Sequence, residues 1–152
     1  VKYILQYMQA EIEKKKDKGW YSMHEFDVPV YDIVINKGAD FVLDIELDDD
    51  NNSATPFDMS QYSFAACIKT SANEDTPIAN FTFDKSKLNQ GVITVKLPAS
   101  ETKKLLTDGD YWKETTQYYW DMVMMDGTKK VTRICQGTVQ VSPGISDILW
   151  QR

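Results

Sequence analysis

Histidine is nearly missing from this sequence, and the other ingredients of a reactive site are just as sparse. The 152 residues include one histidine, His24, and two cysteines, Cys67 and Cys135. There is no GxSxG, no HExxH and no Gly-rich phosphate loop, so no local pattern marks a nucleophile elbow, a zinc-peptidase pair or a phosphate cradle. Neither cysteine has a CxxC partner or a nearby His cluster, which argues against structural zinc. Both lie in strand-like runs, where a free thiol packs as a small hydrophobe; a disulfide between them is the alternative the residues leave open. Asp and Glu are plentiful enough to leave a glycosidase carboxylate pair open on numbers alone, yet no spacing singles one out. The expectation is a non-enzymatic protein with no cofactor, no metal and no small-molecule ligand.

An excess of basic charge is also lacking. Lys and Arg total 17 against 23 Asp and Glu, for a net charge of -6 and a pI near 4.8. A nucleic-acid partner needs a basic face to neutralise phosphates, so none is expected. The densest basic run, "EKKKDK" at residues 13–18, is interleaved with acids and reads as a solvated helix face. No stretch approaches ~18 consecutive apolar residues, so no membrane span is expected. The N-terminus is too charged by Glu11 for a signal peptide. A start at Val1 suits removal of an initiator Met, and the expectation is a soluble protein made in a reducing cytoplasm. No internal repeat or low-complexity tract occurs. Hydrophobic residues at 42% and charged residues at 26% are ordinary for a globular chain with a real core.

What is present is periodicity. In "VKYILQYMQAEIEKKKDKGW", Val1, Ile4, Leu5, Met8 and Ile12 fall on one helical stripe, with Gly19 as the stop. After "GWYSMHEFD" the period drops from 3.6 to 2. In "FVLDIELD", Phe41, Leu43, Ile45 and Leu47 point one way and Val42, Asp44, Glu46 and Asp48 the other, a strand with one wet face. "DDDNNSATP" reads as a polar loop turned by Pro56. "QYSFAACIK", "IANFTF" and "VITVKL" alternate again. "PASETKKLLTDGDY" is a short helical turn, N-capped by Ser100 and ending near Gly109. "QYYWDMVMMDGTKKVTRICQGTVQVSP" is a hairpin joined at Asp126 and Gly127. With "VPVYDIVI" this makes seven strand candidates in about 115 residues, the signature of an all-β, two-sheet sandwich of immunoglobulin type. The expected organisation is a helix over 1–19, the sandwich over 26–144 and an apolar tail over 145–152.

The pieces "KGADFVLDIEL", "TPFDMSQY", "GVITVKLPASETKKL", "DGDYW" and "YYWDMVMMDGTKKVTRICQGTVQVSPGIS" occur in an order that resembles the Ig-like β-sandwich domain of tailed-bacteriophage structural proteins. The similarity is to the N-terminal domain of siphophage upper-baseplate proteins, and it covers about residues 36 to 145. It departs at Gln61, where the family pattern has Gly, and at "KETTQ", which lengthens the approach to Trp120 and Asp121. The resemblance implies a virion structural protein of the tail, baseplate or neck, synthesised in the host cytoplasm and bound to other virion proteins and to copies of itself. Within the turn "TPFDMSQY", Asp58 and Ser60 are placed to bond the backbone and swing the chain between sheets.

Three groups of residues are candidates for contact. The helix stripe Val1, Ile4, Leu5, Met8 and Ile12, and the tail residues Ile145, Ile148, Leu149 and Trp150, are apolar arms that a small sandwich cannot readily bury; packing back on their own domain is the alternative. Among the aromatics, Trp112, Tyr118 and Trp120 lie in the densest stretch, "DYWKETTQYYW". Core or interface is the favoured role there, with a sugar-stacking platform as the alternative. A carbohydrate- or receptor-binding module and a capsid-decorating protein are the competing functions. The acid loop places Asp48, Asp50 and Asn52 at alternating positions, but Ser53 and Met59 stand where an EF-hand needs Gly and Glu. An EF-hand is excluded; a solvated loop is favoured, and irregular calcium binding stays open.

Overall fold

The computed structural model describes residues 28–49 and 52–146. The helix stripe Val1, Ile4, Leu5, Met8 and Ile12, the tail residues Ile148, Leu149 and Trp150, and His24 lie outside the described residues. So do Asp50 and Asn51 of the acid loop.

In chain order the elements are β1 (Ile33–Asn36), β2 (Phe41–Glu46), β3 (Asp48–Asp49), β4 (Asn52–Pro56), β5 (Ser63–Lys69), β6 (Ala79–Asn80), β7 (Thr82–Asp84), a 3-10 turn (Leu88–Gln90), β8 (Val92–Leu97), α1 (Ala99–Thr102), β9 (Thr116–Met125) and β10 (Val131–Ser142). One sheet has the order β1-β10-β9-β5-β6 and the facing sheet the order β2-β8-β7, while β3 and β4 form a small separate hairpin. The chain passes from one sheet to the other between β1 and β2, β2 and β5, β6 and β7, and β8 and β9. β1 runs parallel to β10, Ile33 opposite Val139, and every other pair in the two main sheets is antiparallel. This order and these crossings make the protein an all-β, Ig-like two-sheet sandwich.

The alternation seen in the sequence is the reason the layers close. Ile45 on β2 and Ile93, Val95 and Leu97 on β8 are buried against Ile68, Met122, Val139 and Val141 of the other sheet. Each such side chain contributes roughly 1.5–3 kcal/mol by leaving water. A ladder of aromatic rings bridges the layers. Phe41 of β2 lies 5.9 Å from Phe81, and Phe81 meets Trp120 of β9 edge-on at 5.8 Å. The Trp120 indole Nε1 donates to the Tyr31 carbonyl at 2.8 Å, so its polar edge is satisfied inside the core. Tyr118, near the start of β9, donates its hydroxyl to the Leu106 carbonyl in the preceding connection. That is the tyrosine-corner arrangement of Ig-type sandwiches.

The structure refines the expected strand set. There are ten β-elements among the described residues against seven candidates. The stretch read as a polar loop carries the paired strands β3 and β4. "IANFTF" is cut at buried Phe81, so that β6 joins one sheet and β7 the other. The helical turn is also shorter than expected. α1 ends at Thr102, and Pro98, not Ser100, is the N-cap residue. The cap comes from far along the chain: Asp40 Oδ1 accepts from the Ala99 amide at 2.7 Å. Buried Thr102 fixes the helix end, accepting from the Gly38 amide at 3.1 Å and donating to the Ala39 carbonyl at 2.8 Å. In the β9–β10 connection Gly127 keeps negative φ and Lys129 carries the left-handed conformation, φ 69°. The turn is therefore a three-residue loop closed by Asp126 and Lys130, and not a two-residue Asp-Gly turn.

Candidate functional site

β9 is the middle strand of the five-stranded sheet, and its two faces have different fates. Tyr118, Trp120 and Met122 point inward and are buried. Tyr119, Asp121, Val123 and Met125 alternate onto the outer face, where Tyr119 is 44% exposed. Register places Lys69 and Thr138 on either side of Tyr119, Cys67 and Gln136 beside Asp121, and Ala65 and Arg133 beside Val123. The outer face is thus a mixed surface, with an aromatic and paired charges at its centre and valines toward its ends.

This face holds an open groove of about 780 Å³, lined among others by Val30, Asp32, Cys67, Lys69, Tyr119 and Arg133. Two features shape it. Gly137 on β10 has no side chain, and a Cβ there would collide with the Tyr31 carbonyl oxygen. The segment before β1 can therefore lie close, with the Tyr31 amide donating to Gln136 O at 2.7 Å. Asp32 Oδ1 accepts from the Thr138 amide at 2.8 Å, which fixes the rim. Across the floor Arg133 pairs with Asp121 at 3.4 Å and donates to Gln136 Oε1 at 2.9 Å. Both partners of the ion pair are substantially exposed, so it orients the guanidinium more than it stabilises the fold. Toward the end of the sheet Gln140 receives a bond from Thr115 at 2.7 Å and donates to Gln117 at 2.9 Å. The chemistry on offer is recognition: fixed donors and acceptors around a phenol ring.

Neither cysteine is an activated nucleophile. Burial, and then the nearby Asp121 charge, push the Cys67 thiol up, so little thiolate forms at neutral pH. Cys135, buried beneath the sheet, is pushed up to about 12 by the same two causes in the same order. Both thiols are free. Among the described residues no three His, Cys, Asp or Glu side chains cluster in a way that holds a metal ion.

The three aromatics singled out in the sequence are not brought together. Tyr118 and Trp120 are core residues, 6% and 4% exposed, and are closed to a sugar or a partner. Trp112 stands alone of the three at the surface, 59% exposed, on the connection between α1 and β9. Tyr111 meets it edge-on at 6.3 Å, and the Lys113 ammonium lies 5.1 Å over its ring. Of the tail group only Ile145 is described, and it is almost fully exposed. The groove was missed from the sequence because its members come from far apart: Asp32 from just before β1, and Lys69, Tyr119 and Arg133 from β5, β9 and β10. The available signal was the apolar alternation of β9 on both faces.

No protein-family model matches the chain, and no curated protein matches it by sequence. Among solved structures it is similar to the SrpA adhesin of Streptococcus sanguinis, over 73% of this chain and 54% of that one, at 11% identity and a TM-score of 0.42. It is also similar to an IG1 domain of the ZIG-8–RIG-5 heterodimer, over 81% of this chain and 90% of that one, at 7% identity and a TM-score of 0.35. A 2,6-sialyltransferase of Photobacterium sp. JT-ISH-224 matches over 76% of this chain and 18% of its own, at 11% identity and a TM-score of 0.30. The chain thus spans about half the length of the adhesin chain it matches, 54%, and a smaller share of the transferase. The Ig-like assignment itself is read from the strand order and the crossings.

Proposed function

We propose that this protein is a non-enzymatic structural component of a tailed-bacteriophage virion, an Ig-like module of the tail, baseplate or neck. It joins other virion proteins, and copies of itself, in a symmetric assembly through its terminal arms. The observation that carries the reading is where the phage-like sequence pieces fall. "TPFDMSQY" is the end of β4 and the link into β5, the last part of the crossing from β2, "GVITVKLPASETKKL" is β8 with α1, and "YYWDMVMMDGTKKVTRICQGTVQVSP" is the terminal hairpin. Pieces that are each weak as motifs are the joints of one framework. Among the described residues no layer covers the outer face of the five-stranded sheet, and its mixed polarity suits subunit packing.

The test is incorporation. A chain lacking residues 1–18 should keep the sandwich's far-UV spectrum and melt yet fail to co-purify with particles; incorporation at the full-length level would overturn the arm's role. Copy number per particle separates tail from shell, because a capsid-decorating protein would be present in hundreds of copies and on tailless heads. A second reading, a carbohydrate- or receptor-binding module, is favoured by the exposed Tyr111–Trp112 pair with its overlying lysine. For that reading Trp112→Ala should abolish a glycan-array signal without moving the melt, and a wild-type chain silent on the array would end it.

A further inference from the structure

Three of the exposed large hydrophobic side chains share one connection. Leu106, Tyr111 and Trp112 are 78%, 45% and 59% exposed, and all belong to the connection between α1 and β9. That connection is pinned to the end of the sheet. The Leu106 carbonyl takes the Tyr118 hydroxyl, Asp108 Oδ1 accepts from Thr116 Oγ1 at 3.1 Å, and the Trp112 carbonyl takes the Ser142 hydroxyl at 2.8 Å. Ser142 is the last residue of β10, so the connection lies where the chain leaves the sandwich. Three residues later comes Ile145, 84% exposed. One end of the molecule therefore presents three apolar or aromatic side chains beside the exit of a chain that continues Ile148-Leu149-Trp150.

We propose that this end surface, formed by Leu106, Tyr111 and Trp112, is the docking site for the protein's own residues 148–150. Leu106, Tyr111 and Trp112 on one side and residues 148–150 on the other are aliphatic or aromatic, and the Lys113 ammonium lies over the Trp112 ring at the edge of the surface. Reach is no obstacle, because the four residues from 147 to 150 span up to about 14 Å when extended. A segment tethered this closely meets its site at an effective concentration in the millimolar range, so modest apolar contact is enough to hold it. Pro143 lies between Ser142 and the tail, restricting φ at the exit and lowering the entropy lost on docking. The inference concerns the free subunit and is independent of the virion reading. An arm that grips a neighbour in an assembly would form the same contacts by exchange.

Paramagnetic broadening in the full-length chain tests it. A nitroxide is attached at Gln151→Cys in a Cys67→Ser background, Cys135 being buried and unreactive. In a dilute 15N-labelled sample the Trp112 indole and the Leu106 and Tyr111 amides should lose most of their intensity, while Val42 and Thr94 on the other sheet keep theirs. Adding Leu149→Ser and Trp150→Ser should restore the lost signals, with Tyr118 and Met122 unmoved as evidence of an intact fold. The proposal is overturned if the three residues keep their intensity, or if the loss survives the double serine variant. It is overturned equally if broadening appears only on a label-free 15N chain mixed with spin-labelled 14N chain, because the tail then docks on a second copy.

Discussion

Three short turns share one chemical device. Asp58, Asp84 and Asp126 each stand two residues before a Ser or Thr, and each carboxylate accepts bonds from that residue. The carboxyls are held below their ordinary value of 3.8, Asp58 first by the Ser60 hydroxyl, Asp84 first by the Ser86 amide and Asp126 first by the Thr128 hydroxyl. A carboxyl whose folded pKa is depressed leaves the unfolded chain binding more protons. The stability it contributes is whole above the unfolded value and is lost as pH falls through the folded one. Melts recorded from about pH 6 down to about pH 2 should therefore show an acid-side loss that flattens when the three residues become Asn. An unchanged acid limb in that variant would assign the loss to other groups. The first of these turns was legible in "FDMSQY"; the second, in "FDKSK", follows the same two-residue rule and was available to it.

Single elements here are held by contacts far away in sequence. α1 has no cap of its own and borrows Asp40, while the end of α1 is tied by Thr102 to Gly38 and Ala39. β10 depends in the same way on Gly137, which leaves room for the Tyr31 carbonyl that also receives the Trp120 indole. Gly137→Ala forces that carbonyl away and breaks the bond, so a loss of roughly 2–4 kcal/mol is expected in denaturant unfolding. Thr102→Val keeps the shape but removes the bonds to the Gly38 amide and the Ala39 carbonyl, both at exposed positions, and should cost about 0.5–1.5 kcal/mol. Values near zero for either variant would mean that the β1 and α1 ends are not fastened as described. The sequence showed that a glycine stood in "CQGTVQV"; it did not show that backbone, not a ligand, fills the space.

For the molecule as a whole, the core is a single layer of side chains shared by both sheets. Met122 sits on the central strand with no exposure, among residues drawn from both layers. Truncating it as Met122→Ala should cost roughly 2–5 kcal/mol, and the loss should register equally in near- and far-UV signals. Separate transitions for the two signals would mean that the layers unfold independently. The outer faces have no such shared layer among the described residues. There the five-stranded sheet carries its groove and the exposed connection around Trp112.

Local alternation was enough to place the layers. Ile45, Val95 and Val139 each face inward because a period of two leaves them no other side once their neighbours are polar. Turn chemistry at Asp58 was equally local, since a carboxylate two residues from its donor needs no tertiary partner. The faces of β9 were another matter. Tyr118 and Trp120 are hidden and Tyr119 is open because one side of the strand meets the second sheet, and both sides read as apolar until that sheet is in place. The groove, the borrowed cap of α1 and the apolar end beside Ser142 join residues many positions apart. Their positions follow from how the sheets pack and cross, which no local stretch of chain encodes.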